Sequence, residues 1–227
     1  MTHEELLLQV RNLYLEAREP RFFYDKKHNA ISRCTSHSIS SEYEDLLAQY
    51  CFELINDETV EIFIDPQMKF PKLDLKNSSG EKTFIFRPDI VIVKNNKIVF
   101  LIDAKTDLGY LKSIYTDVIS KMNNTIGLLA GQYVEFNRRT KGVIQKLEFS
   151  QQIKLAYLVA SNEYITKIPV PYKDLNSSHS RVNIFFLSSG GHLNNYKNGV
   201  EEVGNGINVN ESFIEFDKLI LAAVNNQ

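Results

Sequence analysis

Three polar residues stand where apolar strand sequence would be expected to continue. Asp89 follows Arg87 and Pro88 inside the Ile-, Val- and Phe-rich run 84–93, and Asp103 and Lys105 close the next such run, which begins at Ile98. Side chains alternate along a strand, so Asp103 and Lys105 share one face and Ala104 points to the other. A carboxylate in so apolar a segment is costly to desolvate unless it is protonated, paired or bound to a metal. Two of them on adjacent strands call for a cation. An isolated Asp-x-Lys is ordinarily a solvated strand end whose ion pair is worth about 0–1 kcal/mol. The step Arg87-Pro88-Asp89 argues against that reading here, because proline removes a ladder donor in mid-strand and such local rule-breaking concentrates at functional sites.

Pro88 and Asp89, then thirteen residues, then Asp103, Ala104 and Lys105 resemble the signature of the PD-(D/E)xK nuclease superfamily. The resemblance runs from a helix expected at 41–55 to a strand ending near 160, about half of the chain. It implies an α/β fold with a restriction-endonuclease-like αβββαβ core, a central mixed sheet flanked by helices. It also implies the roles in the site. Asp89 and Asp103 would be metal ligands, helped by the Ala104 carbonyl, and Lys105 would orient the attacking water or help to deprotonate it. A glutamate on the first core helix would complete the set: Glu44 is the assignment and Glu42 the alternative. Lys112 and Lys121 are ordinary helix lysines to which no role is assigned.

The ligand chemistry points to Mg²⁺, with Mn²⁺ as a substitute. Hard divalent ions prefer oxygen ligands, and no His or Cys set accompanies these carboxylates, which disfavours zinc. Such an ion neutralises charge on a scissile phosphate and acidifies a bound water, while Lys105 offsets the developing negative charge. Ligand count leaves one metal or two open. The implied activity is an endodeoxyribonuclease of the type II restriction class, hydrolysing phosphodiester bonds of double-stranded DNA. Cutting both strands of a symmetric site implies a homodimer, with the N- and C-terminal helices as candidate contacts. A repair or junction-resolving nuclease on the same core is the alternative. A non-catalytic nucleic-acid-binding module that kept the fold is a third reading, weighed against by the complete Asp89, Asp103 and Lys105 set.

These residues need a particular hairpin to bring them together. The runs 84–93 and 98–104 are separated by 94–97, Lys-Asn-Asn-Lys, and read as a β-hairpin apolar on both faces. A two-residue Asn95-Asn96 turn with unbroken pairing would set Asp89 opposite Ile102 and leave Asp89 and Asp103 on opposite sides of the sheet. One extra residue, in a three-residue loop or as a bulge near Pro88, is therefore expected, bringing Asp89 opposite Asp103 and Arg87 opposite Lys105.

Periodicity supplies the other elements. A helix carries Leu6, Val10 and Tyr14 and stops before Pro20, and a second, capped by Ser40 or Ser41, buries Tyr43, Leu47, Tyr50 and Cys51. A strand at 60–65 follows, then a turn at 72–82. A helix runs from about 111 to about 136, with strands at 153–160 and 182–187, a long loop or loose hairpin at 188–210 and a helix at 213–224. The whole, 1–227, is expected to be one nuclease domain: a helical appendage at 1–35, a core at about 40–160 and a C-terminal elaboration at 161–227. Arg138, Arg139 and Lys141 form the densest basic cluster and, with Arg87, are the candidate phosphate contacts.

Composition narrows the partners. With 26 Lys and Arg against 28 Asp and Glu the net charge is −2, so nucleic acid must be met by a local patch rather than by overall attraction. No apolar run approaches the roughly 20 residues of a membrane span. Residues 1–5 lack the basic and apolar regions of a secretory signal, so the mature chain is expected to begin at Met1 and to work in the cytoplasm. Cys34 and Cys51 show no metal or disulfide spacing, the five histidines show no paired spacing, and no phosphate-binding glycine pattern is present.

Overall fold

A computed structural model describes residues 1–17, 38–70, 84–106, 115–138, 143–161, 171–190, 193, 196–197, 200–201 and 207–226. Helix α1 (His3–Glu16) starts with a capping box, in which Thr2 accepts the Glu5 N–H and the Glu5 carboxylate accepts the Thr2 N–H. Helix α2 (Ser40–Ile55) starts without one. Its N-cap is Ile39, and the two hydroxyls expected to cap it lie elsewhere, Ser40 at 3.2 Å from the Ser38 hydroxyl and Ser41 donating to Glu42. It ends where Asn56 turns left-handed (φ 46°) and donates its N–H to the Phe52 carbonyl.

Strands β1 (Val60–Ile64), β4 (Ile90–Lys94) and β5 (Lys97–Lys105) lie side by side and antiparallel, with β2 (Met68–Phe70) and β3 (Phe84–Phe86) between β1 and β4 in the chain. The run 84–93, expected as one strand, is thus two. It breaks at Arg87-Pro88-Asp89, where proline has no N–H to give a ladder. β3 pairs with β2 at one end of the sheet path, whereas β4 sits between β1 and β5.

The helix expected to reach about 136 is also shorter. α3 (Tyr115–Leu129) stops before Gly131, whose φ of 72° lies in the left-handed region that glycine enters freely. Beyond it, exposed Tyr133, buried Val134 and exposed Glu135 alternate with the period of a strand, β6 (Tyr133–Arg138). β6 runs antiparallel to the first part of the 19-residue β7 (Val143–Ser161), whose later part runs parallel to β5 and to β8 (Val182–Ser189). Helix α4 (Tyr172–Ser178) precedes β8. The glycine- and asparagine-rich region holds a short pair, β9 (Tyr196–Lys197) with β10 (Val200–Glu201), and then β11 (Asn208–Val209) on β8, before α5 (Glu211–Asn225).

Among the described residues nine strands join in one mixed sheet flanked by helices. α1, α2 and α5 share one core with Ile90, Ile92, Phe100, Ile102 and Ala104. α3 and α4 share another with Val91, Val93, Leu101, Tyr157 and Val159. α1 contributes Leu6, Val10 and Tyr14 to the first core, and α5 contributes Phe213, Phe216 and Ile220. A polar knot ties that layer together: His3 Nε2 lies 2.6 Å from one Asp217 carboxylate oxygen, and the Tyr50 hydroxyl donates to the other at 2.7 Å. Among the described residues no helix is long and apolar enough to cross a membrane.

Candidate active site

The β4–β5 hairpin turns through Asn95 and Asn96, both left-handed at φ 51° and 60°, with Lys94 paired to Lys97. This is the two-residue turn that, continued without interruption, would separate the aspartates. A bulge on β5 prevents it. Val93 pairs with Ile98 but Ile92 pairs with Phe100, so Val99 is the extra residue, and pairing continues through Val91–Leu101 to Ile90–Ile102. The expected one-residue shift is therefore present, at Val99 rather than in the turn or near Pro88. Burial shows the cause: consecutive Val99 and Phe100 both enter the core under α1, α2 and α5, and normal alternation resumes at Leu101. One register step past Ile90–Ile102, Asp89 comes opposite Asp103.

The contacts agree with that register. The Asp89 carboxylate accepts the Ala104 N–H at 2.7 Å, and the Asp89 carbonyl accepts the Asp65 N–H at 2.7 Å. Lys105 Nζ lies 3.8 Å from Asp89 Oδ2 and is ion-paired with Asp103 Oδ1, an oxygen otherwise shielded from solvent. The side chains of Asp103 and Lys105 remain 21% and 35% exposed, so the cluster is reachable from solution. It lies toward the C-terminal ends of the mutually parallel strands β5, β7 and β8, the side of a sheet where ligands collect in open α/β folds.

Charge in the cluster is unbalanced. Burial, then repulsion from Asp103, raises Asp89 to about 6, although Lys105 and the Ala104 N–H pull the other way. Glu44, on α2, is raised to about 7 by burial and then by Asp89 and Asp65, with Lys105 opposing. For Lys105 burial works against the ammonium, but Asp103, Asp89 and Glu44 outweigh it and hold its pKa above the ordinary lysine value. Three carboxylates thus face one ammonium. Carboxylate and carbonyl oxygens are the donors a hard divalent cation prefers, and Asp89, Asp103, the Ala104 carbonyl and Glu44 are the groups here that could hold one. As placed, Lys105 occupies the space between the two aspartates, and among the described residues no three acidic, His or Cys side chains close around one point.

Of the other residues singled out from the sequence, Glu42 accepts a hydrogen bond from the Ser41 hydroxyl at 2.8 Å, while Glu44 is the helix glutamate that interacts with Asp89 and Lys105. Arg87 is exposed in the break between β3 and β4. Arg138 ends β6, and Arg139 and Lys141 lie outside the described residues, as does Lys112. Two neighbours were not singled out from the sequence. Tyr157, 5% exposed, pairs in register with Asp103 on the adjacent parallel strand, and its hydroxyl pKa is raised by burial and then by Asp103 and Asp89. Asp65, left-handed at φ 46°, hydrogen-bonds to the Asp89 backbone and adds negative charge beside Glu44. Only the Asp65-Pro66 dipeptide, a strand-ending step, hinted at a bend there. No protein-family model matches the chain, and no curated protein matches it in sequence.

Proposed function

We propose that this protein is a divalent-metal-dependent endodeoxyribonuclease built on a restriction-endonuclease-like core, with Asp89, Asp103, Lys105 and Glu44 as its centre. The observation that carries the reading is the Val99 bulge, which sets Asp89 across from Asp103 and within reach of Lys105. The order α2, β1, β4, β5, α3, β7 supports it, being helix, three strands, helix, strand once β2, β3 and β6 are taken as insertions.

In this reading Asp89, Asp103, the Ala104 carbonyl and Glu44 hold Mg²⁺ or Mn²⁺. The ion supplies charge neutralisation at the scissile phosphate and a more acidic water. The Ala104 N–H orients the Asp89 carboxylate, fixing which of its oxygens is left for a ligand. Lys105, with its raised pKa, acts as a charge and a hydrogen-bond donor rather than as the base. It directs the attacking water and offsets charge developing on the phosphate. Arg87, exposed beside the centre, contacts the phosphate backbone of double-stranded DNA. Cleavage of both strands by a type II restriction enzyme calls for a two-fold homodimer.

The test is incubation of the purified protein with supercoiled plasmid in Mg²⁺, Mn²⁺ or EDTA, beside Asp103→Ala and Lys105→Ala. Metal-dependent discrete fragments are expected, reduced by a factor on the order of 10² or more in each variant. Cleavage confined to branched or damaged DNA would indicate a repair or junction-resolving enzyme instead. DNA binding without cleavage in any divalent metal would reject catalysis.

A further inference from the structure

We propose that Tyr14, on the N-terminal helix, is a positioning residue for Lys105, so that α1 is part of the working centre; this rests on the nuclease reading above. The β5–β7 ladder makes its last pair at Lys105–Val159. The Thr106 carbonyl lies one residue beyond it and accepts a hydrogen bond from the Tyr14 hydroxyl at 3.0 Å, across 92 residues of sequence. On the other side of Lys105, the Ala104 N–H is held by the Asp89 carboxylate at 2.7 Å. The backbone of Lys105 is therefore bracketed by two long-range hydrogen bonds, at Ala104 on one side and at Thr106 on the other.

The surroundings separate the roles of ring and hydroxyl. Tyr14 is 8% exposed and belongs to the same core as Tyr43, Ile102 and Ala104, on the opposite face of the sheet from Asp103 and Lys105. Its ring fills space there, and phenylalanine would fill it equally well. The hydroxyl reaches the strand end, and without it the partly buried Thr106 carbonyl loses that hydrogen bond. A strand end that shifts by a fraction of an ångström displaces Lys105 from the water or phosphate it must meet, and reaction rate is steeply sensitive to such misplacement.

The experiment compares wild type with Tyr14→Phe, using Tyr133→Phe as the control, since Tyr133 is exposed on β6. Plasmid cleavage kinetics in Mg²⁺ are measured alongside amide hydrogen exchange. Tyr14→Phe is expected to lower kcat roughly ten-fold with KM unchanged, and to speed exchange at residues 104–106 while the other core amides exchange as before. Tyr133→Phe should change neither. Wild-type kcat and wild-type exchange in Tyr14→Phe would overturn the proposal, as would faster exchange throughout the core, which marks general destabilisation. If wild type cleaves no DNA, the nuclease reading is what fails. The exchange arm then still decides the tether, supporting it if acceleration is confined to 104–106 and rejecting it otherwise.

Discussion

Glu44 and Asp89 are raised from ordinary carboxylate values of 4.5 and 3.8 to about 7 and about 6, because both are partly buried and one lysine serves three carboxylates. Such groups bind protons more tightly in the folded chain than in the unfolded one. Their stabilising contribution is present below their unfolded values and is lost as pH rises through the folded ones. In EDTA, Glu44→Gln should therefore lose less stability than wild type between pH 5 and pH 8, as measured by urea denaturation. Equal losses would mean that Glu44 titrates normally. A divalent cation should reverse the trend. At pH 8, Mn²⁺ at about 100 times its dissociation constant should stabilise wild type by about 2.7 kcal/mol, and Asp89→Asn should respond much less. A thermal shift of the same size in Asp89→Asn would place the ion elsewhere.

Within the hairpin, turn and bulge have separate tasks, and substitutions can distinguish them. The Asn95-Asn96 turn needs two left-handed residues, which asparagine tolerates and β-branched residues do not. Asn96 also accepts a hydrogen bond from Gln145 at 3.2 Å. Asn96→Val should cost about 1–2 kcal/mol of stability and leave the cleavage rate of the folded protein unchanged, because Val99 sets the register between the turn and the aspartates. Urea denaturation and plasmid cleavage at low temperature check the two halves of that statement. Lost cleavage at full stability would show that the turn itself controls the site.

For the molecule as a whole, the strand that carries Asp103 and Lys105 is packed by helices far from it in sequence. Phe216 of α5 stacks on Phe213 at 5.3 Å between ring centroids and meets Phe100 edge-on at 6.4 Å, just beyond the bulge. Phe216→Ala should cost about 3–5 kcal/mol, a large part of the roughly 5–15 kcal/mol that keeps a domain folded. Because Phe216 lies in the same core as α1, α2 and the middle of the sheet, the loss should appear as one cooperative transition. Coincident urea curves from circular dichroism and tyrosine fluorescence would check this. Separate transitions would show that α5 unfolds independently of the sheet.

Local sequence was sufficient for whatever depends on neighbours a few residues apart. Strand alternation placed Asp103 and Lys105 on one face, the Asn-Asn step marked the hairpin, and helical stripes located α1, α2 and α5. It was also enough to show that Asp89 and Asp103 could meet only if one residue was added to the pairing. Where that residue went was decided by tertiary packing, since two consecutive apolar residues, Val99 and Phe100, could both be buried beneath helices from distant parts of the chain. The same holds for Tyr157 beside Asp103 and the reach of Tyr14 to Thr106. Each depends on which segments become neighbours across the sheet. Periodicity over a few residues carries no record of that choice, because it is made by burial and hydrogen bonding between segments separated by tens of residues.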